Sequence, residues 1–70
     1  MEIEPGMVLT VTTAGGGTAR MRAIAPPQQG DDFPVVWVCT DEEYERAEAE
    51  GAEAEGVPWP LSAVRETVTA

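Results

Sequence analysis

Few side chains here could do covalent chemistry. The sequence contains no His and no Lys, one Ser and one Cys, so acid–base work would fall to carboxylates and Tyr44. Nothing in the spacing brings two carboxylates together inside a cleft. Cys39 could act as a nucleophile only with a His or Lys neighbour to lower its pKa, and the chain has neither; the residue reads as a small buried hydrophobe. A lone cysteine makes no internal disulfide and no thiolate metal cluster, which points to a reducing cytosol. Asp31-Asp32 lacks the Asp-x-Asp-x-Asp-Gly spacing of a calcium loop, and we expect no metal and no cofactor. Gly15-Gly16-Gly17 could cradle a phosphate if a helix and a Lys-Ser/Thr pair followed. Thr18-Ala19-Arg20-Met21-Arg22 reads as a returning strand instead, which makes the glycines a hairpin turn. The expectation is a protein that is not an enzyme.

Charge narrows the partners. Thirteen Asp and Glu oppose four basic residues, all Arg, for a net charge of −9 over 70 residues. Arg20, Arg22, Arg46 and Arg65 are too few for the basic face that duplex binding requires, and an acidic field of this size is repelled by anionic lipid. No nucleic acid and no membrane are therefore expected, and a charged protein partner should be basic. The opening Met1-Glu2-Ile3-Glu4-Pro5-Gly6 has no basic or apolar leader region, and no run approaches a membrane span. The reading is a cytoplasmic protein. Absence of Lys, Asn and His beside abundant Ala, Gly, Val and Glu is the usage of a GC-rich gene.

The elements that position these residues follow from periodicity. Residues 7–13 alternate, with Met7, Leu9 and Val11 on one face and Val8, Thr10 and Thr12 on the other, as a first strand. A second strand over residues 18–25 puts Ala19, Met21 and Ala23 opposite Arg20, Arg22 and Ile24. The two arginines on one exposed face either form an anion-binding patch or pair with nearby Glu, and the acidity of the chain favours pairing. Pro26-Pro27 ends that strand, and residues 28–32 form a polar loop. Phe33-Pro34-Val35-Val36-Trp37-Val38-Cys39-Thr40 is the strongest strand signal. Val35, Trp37 and Cys39 point one way and Val36 and Val38 the other, and a strand apolar on both faces is covered on both faces. Phe33, Trp37, Tyr44 and Trp59 are the expected aromatic anchors.

Thr40-Asp41-Glu42-Glu43 has the spacing of a capping box, in which the Thr40 hydroxyl accepts from the Glu43 amide and the Glu43 carboxylate returns to the Thr40 amide. It opens an acidic helical insertion over about residues 41–55, with Glu42 four residues before Arg46 in the favourable order. Ala-Glu-Ala-Glu-Gly then occurs twice in tandem, at 47–51 and 52–56, so the helix ends at either Gly51 or Gly56. At helical spacing Tyr44, Ala47, Gly51 and Ala54 share a face that can lie close to another surface, and the outer face is nearly all glutamate, a solubilising surface or a dock for a basic partner. Finally, Pro58-Trp59-Pro60 is extended, Leu61-Ser62-Ala63 fits a short turn or 3₁₀ step, and Val64, Glu66 and Val68 alternate with Arg65 and Thr67 as a closing strand.

This order, β-β-β-α-β-β, resembles a small SH3-like antiparallel barrel, mainly β with one helix, over residues 1–70 as a single domain. The likeness is strongest at Gly56-Val57-Pro58-Trp59-Pro60-Leu61-Ser62-Ala63-Val64, which resembles the strand, 3₁₀ turn and strand that close such barrels. The acidic Ala-Leu-Tyr-Asp-Tyr-like opening of peptide-binding SH3 domains is absent. Phe-Pro-Val-Val-Trp-Val-Cys-Thr, the acidic helix and Pro-Trp-Pro also make the chain resemble small acidic orphan proteins of actinobacteria and their bacteriophages. That likeness implies an accessory protein that binds and modulates, by inhibition, a host protein, acting in the host cytoplasm if phage-encoded. Trp37, Tyr44 and Trp59, with Glu45 and Glu48, are the expected partner-binding residues, on a monomer or small homo-oligomer. Two other readings are a structural virion or assembly component and an acidic inhibitor that mimics DNA.

Overall fold

The computed structural model describes residues 2–69. Among the described residues six strands and one helix run in the order β1 (Val8–Thr12), β2 (Thr18–Ala23), β3 (Gln28–Gln29), β4 (Pro34–Cys39), α1 (Asp41–Glu50), β5 (Val57–Pro60) and β6 (Val64–Val68), with a 3₁₀ turn at Leu61–Ala63 between the last two. All strand pairs are antiparallel. The sheet curls into a half-barrel of the small SH3-like kind, mainly β with one helix, as the element order predicts.

β1 and β2 pair from Val8↔Arg22 to Thr12↔Thr18. Their turn is closed by the Thr13 amide on the Gly17 carbonyl (2.9 Å) and the Gly16 amide on the Thr13 carbonyl (3.0 Å), so the glycine run is the hairpin expected of it. The polar loop expected at residues 28–32 is in part a strand. Arg22↔Cys39 and Ala23↔Val38 give way to Gln28↔Val35 and Gln29↔Pro34, a slip of two residues in register. Val35 also pairs with Pro60, and Val38 with Val57, so β5 fills one edge of β4 while β2 and β3 share the other. β3 is thus β2 resumed after a bulge at Pro26-Pro27, where the missing amide donors interrupt the ladder.

On β5 the prolines alternate with Val57 and Trp59, which alone carry amides to donate to β4. Pro58 and Pro60 leave the free edge of β5 without donors, a common protection against edge-to-edge pairing.

The core is Leu9, Val11, Val36 and Val38, all fully buried, with Ile3, Ala23 and Val64. Burying a Leu or Val side chain contributes about 1.5–3 kcal/mol, which matters in a domain this small. Val36 and Val38 therefore define the inner face of β4, and Val35, Trp37 and Cys39 its outer face. Ile3 joins the core from outside any strand, an apolar residue between Glu2 and Glu4.

Two expectations are corrected. Phe33 does not anchor the core; it is 49% exposed. In β6, Val11 pairs with Val64 but Thr10 pairs with Glu66, so Arg65 is the extra residue of a bulge. The bulge shifts the alternation, Thr67 turns inward opposite Leu9, and Val68 lies outside beside Val8, 56% exposed.

The helix begins at Thr40, whose hydroxyl accepts from the Glu43 amide (3.1 Å). Only that half of the expected capping box forms. The Glu43 carboxylate turns away from Thr40 to Arg46 and to the Glu55 amide (2.8 Å). Arg46 pairs with Glu43 (2.6 Å) and Glu50 (2.9 Å) rather than Glu42. Of the two possible ends the helix takes Gly51, at φ 65°, so the helical part of the insertion stops there and residues 52–56 run on without helix to β5.

Candidate functional site

Helix α1 lies on the outer face of the barrel at the Arg22 end of β2, and it leaves the other end of β4 bare. Its contacts explain both facts. Ala47 is its one buried residue among those described, and Tyr44 lies over the Arg22 guanidinium with 4.2 Å from the Arg22 Cζ to the ring centroid. Arg22 is held further by its Nε donating to the Gly6 carbonyl (3.0 Å) and by Asp41 (3.4 Å), which also binds Arg20 at 2.7 Å. The two arginines of β2 are therefore paired, with an Asp rather than a Glu. Cys39 sits beneath this cluster, 4% exposed. Burial pushes its thiol pKa up, the carboxylates of Glu43 and Asp41 push the same way, and Arg22 only partly opposes them. Such a thiol is a poor nucleophile.

The three aromatic residues expected to bind a partner face three different surroundings. Trp59 pairs with Val36 on the inner side of the sheet and packs against the core, and its indole N–H donates to the Thr12 carbonyl (3.3 Å). Together with the Arg65 Nε donating to the Thr12 hydroxyl (2.8 Å), it ties the end of β1 to β5 and β6. Tyr44 shares a hollow with Glu48, Arg22 and residues of the 4–7 segment. Glu45 is exposed on the helix. Trp37 stands apart on the outer face of β4.

Two of the hollows in the surface adjoin Trp37. A hollow of about 430 Å³ on one side of it is walled by Phe33, Val35 and Pro58 and rimmed by Asp31 and Asp32. A second, of about 380 Å³, is lined by Ile24, Ala25 and Ala54 with Glu53 at its margin. Gln28 and Trp37 belong to both. The β3–β4 turn places the acidic pair, since the Gly30 amide donates to the Phe33 carbonyl (3.0 Å) and turns residues 31–32 outward. Residues 52–56 bring Ala54 and Glu53 to the far side.

Trp37 was legible as a candidate; Phe33, Asp31, Asp32, Gln28, Pro58 and Glu53 were not. The signal available for them was an acidic pair running directly into Phe33 beside a proline. Among the described residues no group of three or more His, Cys, Asp or Glu is placed to hold a metal ion, and no helix is long and apolar enough to cross a membrane.

No family model, no curated protein and no solved structure matches the chain.

Proposed function

We propose that this chain is a small non-enzymatic protein-binding module, an accessory protein of an actinobacterium or its phage that binds a host protein in the cytoplasm and inhibits it. The observation that carries the reading is the outer face of β4. Phe33 is half exposed beside Trp37, Val35 and Pro58, and the helix that could have covered them packs on the opposite end of the sheet. An aromatic patch left open on a domain with so little apolar surface to spare is a docking feature. The resemblance to actinobacterial and phage orphan proteins supplies the biological setting.

Two observations favour this reading over the others. The free edge of β5 is donor-poor through Pro58 and Pro60, which works against assembly into an array through that strand. On the helix, Asp41 is occupied by Arg20 and Arg22, and Glu43 and Glu50 by Arg46, so half of its six carboxylates are already neutralised and make a poor copy of a phosphate row.

Affinity capture from a high-GC actinobacterial host at physiological salt tests it. A single stoichiometric partner, lost with Phe33→Ser while the circular dichroism spectrum is retained, is the expected result. Absence of any retained protein, with no growth effect on expression, overturns it; a large stable homo-oligomer in size exclusion would favour the structural reading.

A further inference from the structure

We infer that the channel along Trp37 takes an extended segment of a protein partner whose central apolar side chain rests on the indole and whose flanking side chains are basic. This deepens the module reading and rests on it.

The two hollows share Gln28 and Trp37, so they adjoin at the indole, and the channel is the path that takes both of them across it. Its middle is apolar, with Phe33, Val35 and Pro58 to one side and Ile24 and Ala54 to the other. Its ends are acidic, Asp31 and Asp32 at one and Glu53 at the other. No arginine lines it. Among the described residues the ion pairs join Arg20 and Arg22 to Asp41 and Arg46 to Glu43 and Glu50, while Arg65 is engaged with Thr12. The carboxylates at the channel ends therefore have no internal counter-charge, and binding a cation there breaks no existing pair.

Charge also decides between occupants. A second copy of the chain would bring the same carboxylates and another −9 to the contact, and a nucleic acid would bring phosphates. Both are repelled. A segment with basic residues on either side of an apolar one matches the acid–apolar–acid order of the channel. An extended backbone suits it as well, because β3 pairs only with β4 among the described strands and its outer edge can form backbone hydrogen bonds beside Gln28.

The test uses the full chain labelled with ¹⁵N and two acetylated, amidated hexapeptides, one with two central leucines between arginines and one with the arginines replaced by glutamates. The arginine peptide is expected to shift the amides of residues 28–37 and 53–54 and the Trp37 indole, and the glutamate peptide to shift none. Trp37→Ala should weaken binding about tenfold. The triple variant Asp31→Asn, Asp32→Asn, Glu53→Gln, all at exposed positions that keep the fold, should weaken it several-fold and flatten its salt dependence. Shifts centred on Glu42, Glu45 and Glu48 and indifferent to these changes would overturn the proposal, as would equal binding of the glutamate peptide. So would no binding of either peptide. Self-association that shifts the Phe33 and Trp37 signals as protein concentration rises, without peptide, would overturn it in favour of a second copy. If the channel fails but a partner is captured through another face, the module reading stands alone.

Discussion

Ala-Glu-Ala-Glu-Gly is written twice in succession and folded two ways. The first copy, residues 47–51, is the last turn of α1 and its cap: the Gly51 amide donates to the Glu48 carbonyl (3.2 Å) and the Ala52 amide to the Ala47 carbonyl (2.9 Å), the paired bonds of a Schellman motif. The second copy, residues 52–56, has the same helix-forming alanines and glutamates and is not helical. Local preference cannot separate identical pentapeptides, so tertiary contacts decide. The ladder from Val38↔Val57 to Val35↔Pro60, with Trp59 packed on the core, fixes Gly56 against β4. Five further helical residues would advance about 7.5 Å along the helix axis. Extended, the same five can span about 16 Å, enough to turn back to the sheet. The duplication thus converts one sequence into a helix end and a strap, and the strap supplies Glu53 and Ala54 to the Trp37 channel.

The two glycines differ accordingly. Gly51 has φ 65° and open space around it, and Gly56 has ordinary φ but no room, since a Cβ there would meet the Val38 carbonyl oxygen and lie 2.6 Å from the Ile24 Cδ1. Gly56→Ala should therefore be the most damaging single change in the repeat, costing about 3 kcal/mol because a backbone carbonyl cannot step aside. Urea denaturation measures it; a cost equal to that of Gly51→Ala would contradict the distinction. Ala47 and Ala52 should diverge next. Ala47 is buried under the helix, so Ala47→Gln should cost about 2 kcal/mol, whereas Ala52→Gln on the exposed strap stays within about 0.5 kcal/mol. Gly51→Ala should cost about 1 kcal/mol, the penalty of a left-handed residue with a Cβ, and D-alanine at the same position should restore stability.

The smallest effect is electrostatic and couples the two copies. Glu43 receives Arg46 and the Glu55 amide of the strap, and these bonds, Arg46 first, hold its carboxyl down to about 2. A pKa depressed on folding stabilises the native state fully above the ordinary Glu value of 4.5 and loses that contribution as pH falls from there toward about 2. Glu43→Gln should flatten that slope in thermal denaturation between about pH 4.5 and pH 2, and an undiminished slope would contradict the assignment.

How much of this could be read from residues alone follows the same divide. Strands carried by strict alternation or by an apolar run, 8–12 and 34–39, were legible because period two puts Leu9 with Val11 and Val36 with Val38 whatever the rest does; which face of β4 turns inward was not, because both are apolar. The extended path around Trp59 was legible from its prolines, and the step after it as either a short turn or a 3₁₀ turn. β3 was not, because two glutamines carry no strand pattern and are ordered only by the register of β4 after a bulge. The β6 bulge, which turns Val68 outward, was invisible for the same reason. At the site, Trp37 stood out as a large aromatic on a two-faced strand. Phe33 looked like core because its exposure depends on the turn at Gly30. The choice of Gly51 over Gly56 lay in the β4–β5 ladder, outside the repeat altogether.

Backbone chemical shifts across residues 47–56 show whether one pentapeptide folds as a helix end and its copy as a strap against β4. Helical Cα shifts through Glu50, their loss from Ala52 onward, and a nuclear Overhauser contact from the Gly56 α-protons to an Ile24 methyl are the expected result. Helical shifts continuing through Glu55, without that contact, would contradict it and remove a wall of the Trp37 channel.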